Sequence, residues 1–203
     1  MREFCKVNEP TLSAGSKEQV YITSVTSSEN FFCQLAKTST QLDDLMNQIE
    51  EFYRPLGKDE EAFNDPKIGE ACCAMFTEDD GWYRAVVTKV TGQTVEVCYL
   101  DYGNCEQIPL YRVKRMLPCF AEPDAHGFKA SLTCGDGDAI GSSQFSAAVG
   151  EKELVVKVTG RNDSGVYQVQ VYEVNGTCIR LFCPEQTEGK GDTSVTIKGI
   201  VKI

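Results

Sequence analysis

Phe76-Thr-Glu-Asp-Asp-Gly-Trp-Tyr83 and Val97-Cys-Tyr-Leu-Asp-Tyr-Gly-Asn104 are the two stretches that decide the fold of this 203-residue chain. In the first stretch, Asp80-Gly81 separates two apolar runs, which is typical of the turn of a β-hairpin. In the second, a strand-like run ends at Asp101-Tyr-Gly-Asn104, where Asp and Gly favour a bend. The two stretches therefore predict short antiparallel strands joined by tight turns.

Four aromatic residues and one amide form the candidate site: Phe76, Tyr83, Tyr99, Tyr102 and Asn104. Tyr99 and Tyr102 share one face only if the chain bends at Asp101, because side chains alternate along a regular strand. Aromatic faces attract an organic cation within ~6 Å, by roughly 0.5 to 2 kcal/mol each. The pattern therefore predicts a pocket for a bulky, methylated cation.

The simpler interpretation of these aromatic residues is core packing, and for a single Tyr it is the more frequent one. Four aromatic residues at these spacings together with Asn104 favour the pocket. Trp82 neighbours Tyr83 on the strand and should point the other way, so we predict that it lies in the core. Arg84 and Asp101 are predicted to be structural, as a pair.

The segment from about Ile68 to Met116 resembles a Tudor domain of the germline multi-Tudor family. The match includes Trp82-Tyr-Arg-Ala85, the strand Val97–Leu100, Asp101-Tyr-Gly-Asn104 and an Ile-Pro-Leu segment that begins at Ile108. The resemblance implies that the four aromatic residues form a cage for symmetrically dimethylated arginine and that Asn104 hydrogen-bonds the guanidinium. It also implies a non-enzymatic protein that needs no cofactor.

Segments on both sides of this core predict a second module. Before it, a strand hairpin precedes an amphipathic helix that should begin at Ser39 or Thr40 and end before Pro55. After it come a strand at 127–132, a short helix at 142–149 and further strands, the last of them at 177–181. Neither flanking set buries its own apolar residues, so we expect the two to pack together with the core inserted between them.

This arrangement resembles the extended Tudor unit, in which a five-stranded Tudor barrel is inserted in a staphylococcal-nuclease-like OB-fold and joined to it by a helix. The predicted fold class is therefore mainly β with α. The predicted boundaries are 18–57 for the N-terminal part of the nuclease-like module with its helix, 66–118 for the Tudor core, 119–185 for the C-terminal part of that module, and 1–17 and 186–203 for peripheral or linker segments.

The charge of the chain favours a basic partner. Its net charge of −10 and pI near 4.7 oppose nucleic-acid binding, which depends on Lys and Arg displacing counterions. Binding of single-stranded RNA by the OB-like half stays an alternative, with Lys152, Lys157 and Arg161 as a thin basic set. An acidic run at Glu78-Asp-Asp80 lies beside the presumed cage and would speed the encounter with an arginine-rich peptide.

The cysteine and histidine content argues against a metal site. The ten cysteines include no Cys-x-x-Cys pair, and His126 is the single histidine; structural zinc usually requires four ligands in short paired spacings. We expect reduced thiols in the cytosol and a solvated His126 in its turn. No apolar run approaches the ~18 residues of a membrane span, so we expect no membrane partner.

A methyl-lysine reader would use the same cation–π physics. Asn104 favours methylarginine, since a dimethylated guanidinium keeps N–H donors that trimethyl-lysine lacks. By resemblance, the partner is the arginine-methylated N-terminal tail of a Piwi-type Argonaute, and the setting is the cytoplasmic germ granule (nuage), where piRNA complexes silence transposons. We also expect the chain to be part of a larger multi-Tudor protein.

Overall fold

The structure is a computed structural model that describes residues 5–57, 59–133, 142–150, 152–177 and 179. Its strands are, in chain order, β1 (Lys17–Ser27), β2 (Asn30–Leu35), β3 (Ala71–Met75), β4 (Trp82–Thr91), β5 (Thr94–Tyr99), β6 (Cys105–Pro109), β7 (Val113–Arg115), β8 (Gly127–Leu132), β9 (Glu153–Arg161) and β10 (Tyr167–Glu173); its α-helices are α1 (Ser39–Tyr53), α2 (Pro118–Ala121) and α3 (Ser142–Val149). The mainly β content with a few helices confirms the predicted fold class. The strand predicted at 177–181 falls mostly outside the described residues.

The chain divides into two compact units. The first comprises Met1–Thr11 and Phe32–Phe128, and the second comprises Leu12–Phe31 and Lys129–Ile203. The boundaries therefore fall after Thr11, within β2 and within β8. In the part of the chain that the structure describes, no helix is long and apolar enough to cross a membrane.

The first unit contains a five-stranded sheet in the order β6-β5-β4-β3-β7. Its strands pair antiparallel, as expected of short strands joined by tight turns. Alternation along β5 places Val95, Val97 and Tyr99 in the interior and leaves the residues between them partly exposed. These interior side chains join one apolar cluster with Ile108 and Val113.

Helix α1 packs against this sheet in the first unit. Its apolar positions recur at helical spacing, which buries Leu42, Leu45, Ile49 and Tyr53. The ring of Tyr53 lies 5.4 Å from that of Trp82, and Trp82 is 5% exposed. The predicted helix and the predicted core position of Trp82 are therefore confirmed.

The other five strands form a closed barrel in the order β1-β2-β8-β10-β9. Strand β10 pairs parallel with β8 and antiparallel with β9, and the pairing of β1 with β9 closes the ring. Apolar side chains at alternate positions fill the interior, among them Val20, Leu154, Val156, Val169 and Val171. Because strands from both sides of the five-stranded sheet build this barrel, the predicted insertion of one module in the other is confirmed.

Candidate functional site

The four predicted aromatic residues lie together in the first unit. The ring of Tyr83 is 6.3 Å from Phe76, 5.8 Å from Tyr99 and 5.4 Å from Tyr102, and Phe76 is 5.3 Å from Tyr99. The interplanar angles run from 76° to 86°, so neighbouring rings stand edge to face. We call these four residues the aromatic cage. Tyr99 is 2% exposed and forms its most buried wall, while the other three rings are half-buried.

The first turn positions Phe76 and Tyr83. The Phe76 N–H donates to the Gly81 carbonyl at 2.9 Å, and Asp80 takes a left-handed φ of 55°. Arg112 fixes the turn from outside, because its guanidinium donates to the Phe76 carbonyl at 2.8 Å and pairs with the Asp80 carboxylate. The turn is therefore held by a side chain that the sequence analysis did not single out.

The second turn positions Tyr99, Tyr102 and Asn104. The Gly103 N–H donates to the Tyr99 carbonyl at 2.8 Å, and the Tyr99 N–H donates to the Asn104 carbonyl at 2.9 Å. Gly103 has a φ of +82°, and a Cβ there would lie 2.2 Å from the Phe32 ring. Only glycine satisfies both conditions. The predicted bend is therefore present, and it turns both tyrosine rings toward Tyr83.

A buried ion pair anchors the second turn to β4. Arg84 and Asp101 are 0% and 1% exposed, and they join through two hydrogen bonds of 3.0 and 2.6 Å. Arg84 also donates to the carbonyls of Phe120, Pro123 and Asp124. Both charges of this pair are compensated, which is the condition under which a buried ion pair is tolerated. The predicted structural pairing of Arg84 with Asp101 is confirmed.

Two carboxylates hold the hydroxyl groups of cage tyrosines. The Tyr99 hydroxyl donates to Glu106 Oε1 at 2.6 Å, and the Tyr83 hydroxyl donates to Asp79 Oδ2 at 2.6 Å. Each carboxylate is itself fixed by a turn: Glu106 accepts from Thr77, and Asp79 accepts from the Gly81 N–H. Negative charge therefore lies at the hydroxyl ends of two cage rings, where it adds to the attraction for a cation.

The phenol groups of the cage stay protonated at neutral pH. Burial, followed by the hydrogen bonds to Asp79 and Glu106, raises the pKa of Tyr83 and of Tyr99 well above the ordinary value. Burial also raises the pKa of Tyr102 to about 12. The three tyrosine rings are therefore neutral walls, and the formal charge at the site belongs to the carboxylates.

Asn104 is half-buried at the end of the second turn. Its backbone carbonyl accepts a hydrogen bond from the Tyr99 N–H. The predicted hydrogen bond to a guanidinium would therefore be made by the oxygen of its side-chain amide. The structure thus gathers all five predicted site residues on two adjacent turns. Their role in binding methylarginine stays a prediction.

Two features differ from the sequence prediction. His126 is 7% exposed rather than solvated; its backbone N–H donates to Asp101 Oδ1 at 2.9 Å, so the Arg84–Asp101 network draws its turn inward. Cys98 and Cys105 are joined as a disulfide rather than free, because β5 and β6 place them directly opposite each other. Their positions on either side of the second turn are compatible with this pairing, but only the register of β5 against β6 specifies it.

Two of the three basic residues named for the barrel are engaged within the barrel itself. Lys152 pairs with Glu173 at 3.3 Å, and the Arg161 guanidinium lies 4.8 Å from the centre of the Tyr167 ring. A groove that binds single-stranded nucleic acid instead requires cationic side chains directed at the phosphate groups. Within the described ranges, no group of three or more His, Cys, Asp or Glu side chains is arranged to hold a metal ion.

Comparison with known proteins identifies the family. A family model described as Tudor domain matches residues 12–133. Human Tudor domain-containing protein 1 is 32% identical over 123 residues, which cover 60% of this chain and 10% of that protein. The chain therefore spans about a tenth of the length of this relative.

Solved structures show the same fold over most of the chain. The human TDRD1 extended Tudor domain, in complex with a symmetrically dimethylated peptide, is 26% identical with a TM-score of 0.75, and the match covers 82% of this chain and 84% of that one. Extended Tudor domain TD3 of mouse TDRD1, in complex with a MILI peptide containing dimethylarginine 45, is 22% identical with a TM-score of 0.74, and the match covers 83% and 88%. With its matching family model, its five-stranded sheet and its closed barrel, the chain belongs to the Tudor domain family.

Proposed function

We propose that this protein is a non-enzymatic reader that binds symmetrically dimethylated arginine in a partner peptide. The observation that carries the proposal is the aromatic cage, in which four rings stand edge to face at 5.3 to 6.3 Å. Rings at these separations offer π-faces on several sides of one organic cation, each within the effective range of the interaction. Binding of this kind requires no cofactor.

The charges around the cage favour a cation over a neutral ligand. Asp79 and Glu106 accept hydrogen bonds from the Tyr83 and Tyr99 hydroxyls, so these hydroxyls are already committed as donors. These two carboxylates, together with a net charge of −10, attract a positively charged peptide. Electrostatic attraction of this type mainly raises the association rate and weakens with added salt.

Asn104 favours dimethylarginine over trimethyl-lysine. A dimethylated guanidinium keeps its charge and still has N–H groups to donate, whereas a trimethylated ammonium has none. An amide oxygen beside the cage would therefore add a hydrogen bond with methylarginine only. The symmetrically dimethylated peptide bound to the 26% identical human TDRD1 domain supports this preference.

The partner and its cellular setting extend the proposal. We infer that the peptide is the arginine-methylated N-terminal tail of a Piwi-type Argonaute. In this role the protein would scaffold piRNA-pathway complexes in cytoplasmic germ granules, within a longer multi-Tudor chain. The resemblance to the germline multi-Tudor family supports this inference, together with the identity of 32% to human Tudor domain-containing protein 1.

Calorimetric titration tests the proposed function. One Arg-Ala/Gly-repeat peptide is titrated in unmodified, symmetric dimethyl and asymmetric dimethyl forms, in parallel with a trimethyl-lysine peptide. The symmetric form should bind more tightly than the unmodified form by ~1 kcal/mol or more, about fivefold. Tyr83→Ala should abolish this preference, because Tyr83 contacts the other three cage rings.

Tyr111→Ala is the matched control, since Tyr111 lies in the same unit, is 65% exposed and is not part of the cage. It should bind like the unchanged protein. Equal affinity for all arginine forms, unaffected by Tyr83→Ala, would reduce the cage to core packing. Tighter binding of trimethyl-lysine would transfer the assignment to a methyl-lysine reader.

A further inference from the structure

The disulfide between Cys98 and Cys105 encloses most of the candidate site. Residues 99–104, which lie between the two cysteines, include Tyr99, Tyr102 and Asn104. The two cysteines are cross-strand partners on β5 and β6, with their Cα atoms 4.0 Å apart. The bond therefore closes the base of the turn that carries three of the five predicted site residues.

This pair is open to thiol exchange in a way that most of the other described cysteines are not. Cys105 is exposed and Cys98 is half-buried, so an external thiol can reach the bond from the Cys105 side. Burial raises the pKa of the free thiols at Cys33, Cys72 and Cys73, which are inaccessible. A thiolate is the reactive form of cysteine, so these buried thiols are inert.

The state of the pair also bears on a cage carboxylate. Glu106 follows Cys105 on β6, and its carboxylate accepts the 2.6 Å hydrogen bond from the Tyr99 hydroxyl. Two backbone hydrogen bonds, from Gly103 to Tyr99 and from Tyr99 to Asn104, hold the turn independently of the disulfide. The turn therefore has backbone contacts in addition to the disulfide.

We propose that Cys98 and Cys105 form a reversible dithiol–disulfide couple that tunes the affinity of the aromatic cage for its cationic ligand. In the oxidised state the cross-link restricts the turn to its binding geometry, and a preorganised site binds more tightly because less conformational freedom is lost on binding. In the reduced state the turn and Glu106 gain freedom and affinity falls. Where disulfides occur in reducing compartments, they are usually transient and regulatory, which suits such a couple.

The exchange is balanced with a dithiol as the reductant. Its thiolate attacks Sγ of Cys105, a mixed disulfide forms, and Cys98 leaves with the electron pair of the S–S bond and takes up a proton. The second thiolate of the reductant then attacks the mixed disulfide and releases Cys105, which is also protonated. The protein gains two electrons and two protons, and the reductant becomes a cyclic disulfide.

The test compares the two states of the intact chain and rests on the proposed function. The symmetrically dimethylated and unmodified peptides are titrated into protein treated with oxidised glutathione or with dithiothreitol, and alkylation with mass spectrometry reports the Cys98–Cys105 bond. Oxidised protein should bind the methylated peptide about three- to tenfold more tightly than reduced protein. The double variant Cys98→Ser, Cys105→Ser should match the reduced protein and no longer respond.

Cys119→Ser is the matched control, because Cys119 is an exposed free thiol outside the turn; it should keep the full response. Equal affinity in the two states, tighter binding by the reduced protein, or no Cys98–Cys105 bond after oxidation would overturn this inference while leaving the proposed function intact. Loss of methyl preference in both states would instead reject the proposed function and this inference together.

Discussion

The five-stranded sheet and the closed barrel use aromatic rings and charges in opposite ways. In the barrel, Tyr167 is 2% exposed and its ring lies under the chain's own Arg161 guanidinium at 4.8 Å. In the sheet, Tyr83 and its neighbouring rings stand edge to face, and the charges bonded to their hydroxyl groups are the carboxylates of Asp79 and Glu106. The barrel thus supplies a cation to its own ring, whereas the sheet arranges rings and negative charge that suit a cation from outside.

The largest expected effect tests the buried ion pair of the sheet unit. Asp101→Asn leaves the Arg84 guanidinium, which is 0% exposed, without its compensating charge. Loss of one member of a buried pair lowers the free energy of unfolding by roughly 3 to 5 kcal/mol. Urea unfolding followed by fluorescence measures this change.

The barrel supplies the control, Glu173→Gln, which removes one partner of the Lys152–Glu173 pair; the Lys152 side chain there is 41% exposed. Exposed pairs contribute about 0 to 1 kcal/mol. Similar decreases in the free energy of unfolding of the two variants would show that burial does not make the Arg84–Asp101 pair more important for stability than the Lys152–Glu173 pair.

The second prediction separates the two regions by ligand binding. Tyr102→Ala removes one cage wall, whose ring lies 5.4 Å from that of Tyr83. We expect affinity for the symmetrically dimethylated peptide to fall about tenfold, ~1.4 kcal/mol, by loss of one cation–π contact. Tyr172→Ala on β10 should leave this affinity unchanged in the same titration.

The reverse pattern, with weaker binding only in the Tyr172 variant, would assign the ligand to the barrel. A parallel titration with a single-stranded oligonucleotide sharpens this comparison. Measurable oligonucleotide binding that Tyr172→Ala weakens would favour the alternative function of the OB-like half.

A third and smaller effect concerns a tyrosine–carboxylate contact that occurs in both regions. Glu106→Gln keeps an acceptor for the Tyr99 hydroxyl but removes the charge. Affinity for the methylated peptide should fall about three- to fivefold, roughly 0.6 to 1 kcal/mol. The salt dependence of binding should also become shallower, because one attracting charge is gone.

Glu153→Gln is the matched change in the barrel, where the Tyr21 hydroxyl lies 3.4 Å from Glu153. It alters the net charge of the protein by the same amount, but at a site away from the cage. Affinity for the methylated peptide and its salt dependence should therefore change only slightly. Equal losses in the two variants would mean that only overall charge matters.

The smallest predicted effect is a pH dependence of the free energy of unfolding that arises from His126, in the unit that contains the five-stranded sheet. Burial is the largest cause and lowers the pKa of His126; the negative charge of Asp101 opposes this shift, and the positive charge of Arg84 adds a smaller lowering effect. A lowered pKa in the fold means that protonation favours the unfolded chain, so stability is present at neutral pH and declines as pH falls below ~6.5. Between pH 7.5 and 5.0 this decline should be larger in the unchanged chain than in a chain that lacks the histidine.

Urea unfolding at the two pH values, on the unchanged chain and on His126→Asn, measures this contribution. Since His126 is the single histidine, the variant should lose the His126 component of the decline. An identical decline in both proteins would show that other groups account for it.

The cage was predictable from sequence because its geometry is local. Phe76 and Tyr83 flank one short turn, and Tyr99 and Tyr102 lie on another whose Gly103 permits the required φ of +82°. Strand periodicity likewise predicted that Trp82 faces the core. The fold class was predictable for a different reason. The segments before and after the core are each too small to bury their own apolar residues, so they were expected to pack together as one module.

The supporting contacts were not predictable because they join residues distant in sequence or depend on strand register. Arg112 reaches the Phe76 carbonyl across 36 positions, and the burial of His126 follows from its hydrogen bond to Asp101 across 25. The pairing of Cys98 with Cys105 required the register between β5 and β6. Composition alone indicated free thiols and a solvated histidine; the first interpretation was wrong for Cys98 and Cys105, and the second was wrong for His126.

Titration of the isotope-labelled chain with the symmetrically dimethylated peptide, followed by amide NMR, shows whether the aromatic cage binds the methylated arginine. We expect saturable shifts at residues 76–83 and 99–106, with the largest at the amides of Tyr99, Tyr102 and Asn104, and no saturable shifts in β9 and β10. Shifts concentrated in β9 and β10, or no saturable shift in the two cage turns, would contradict this expectation.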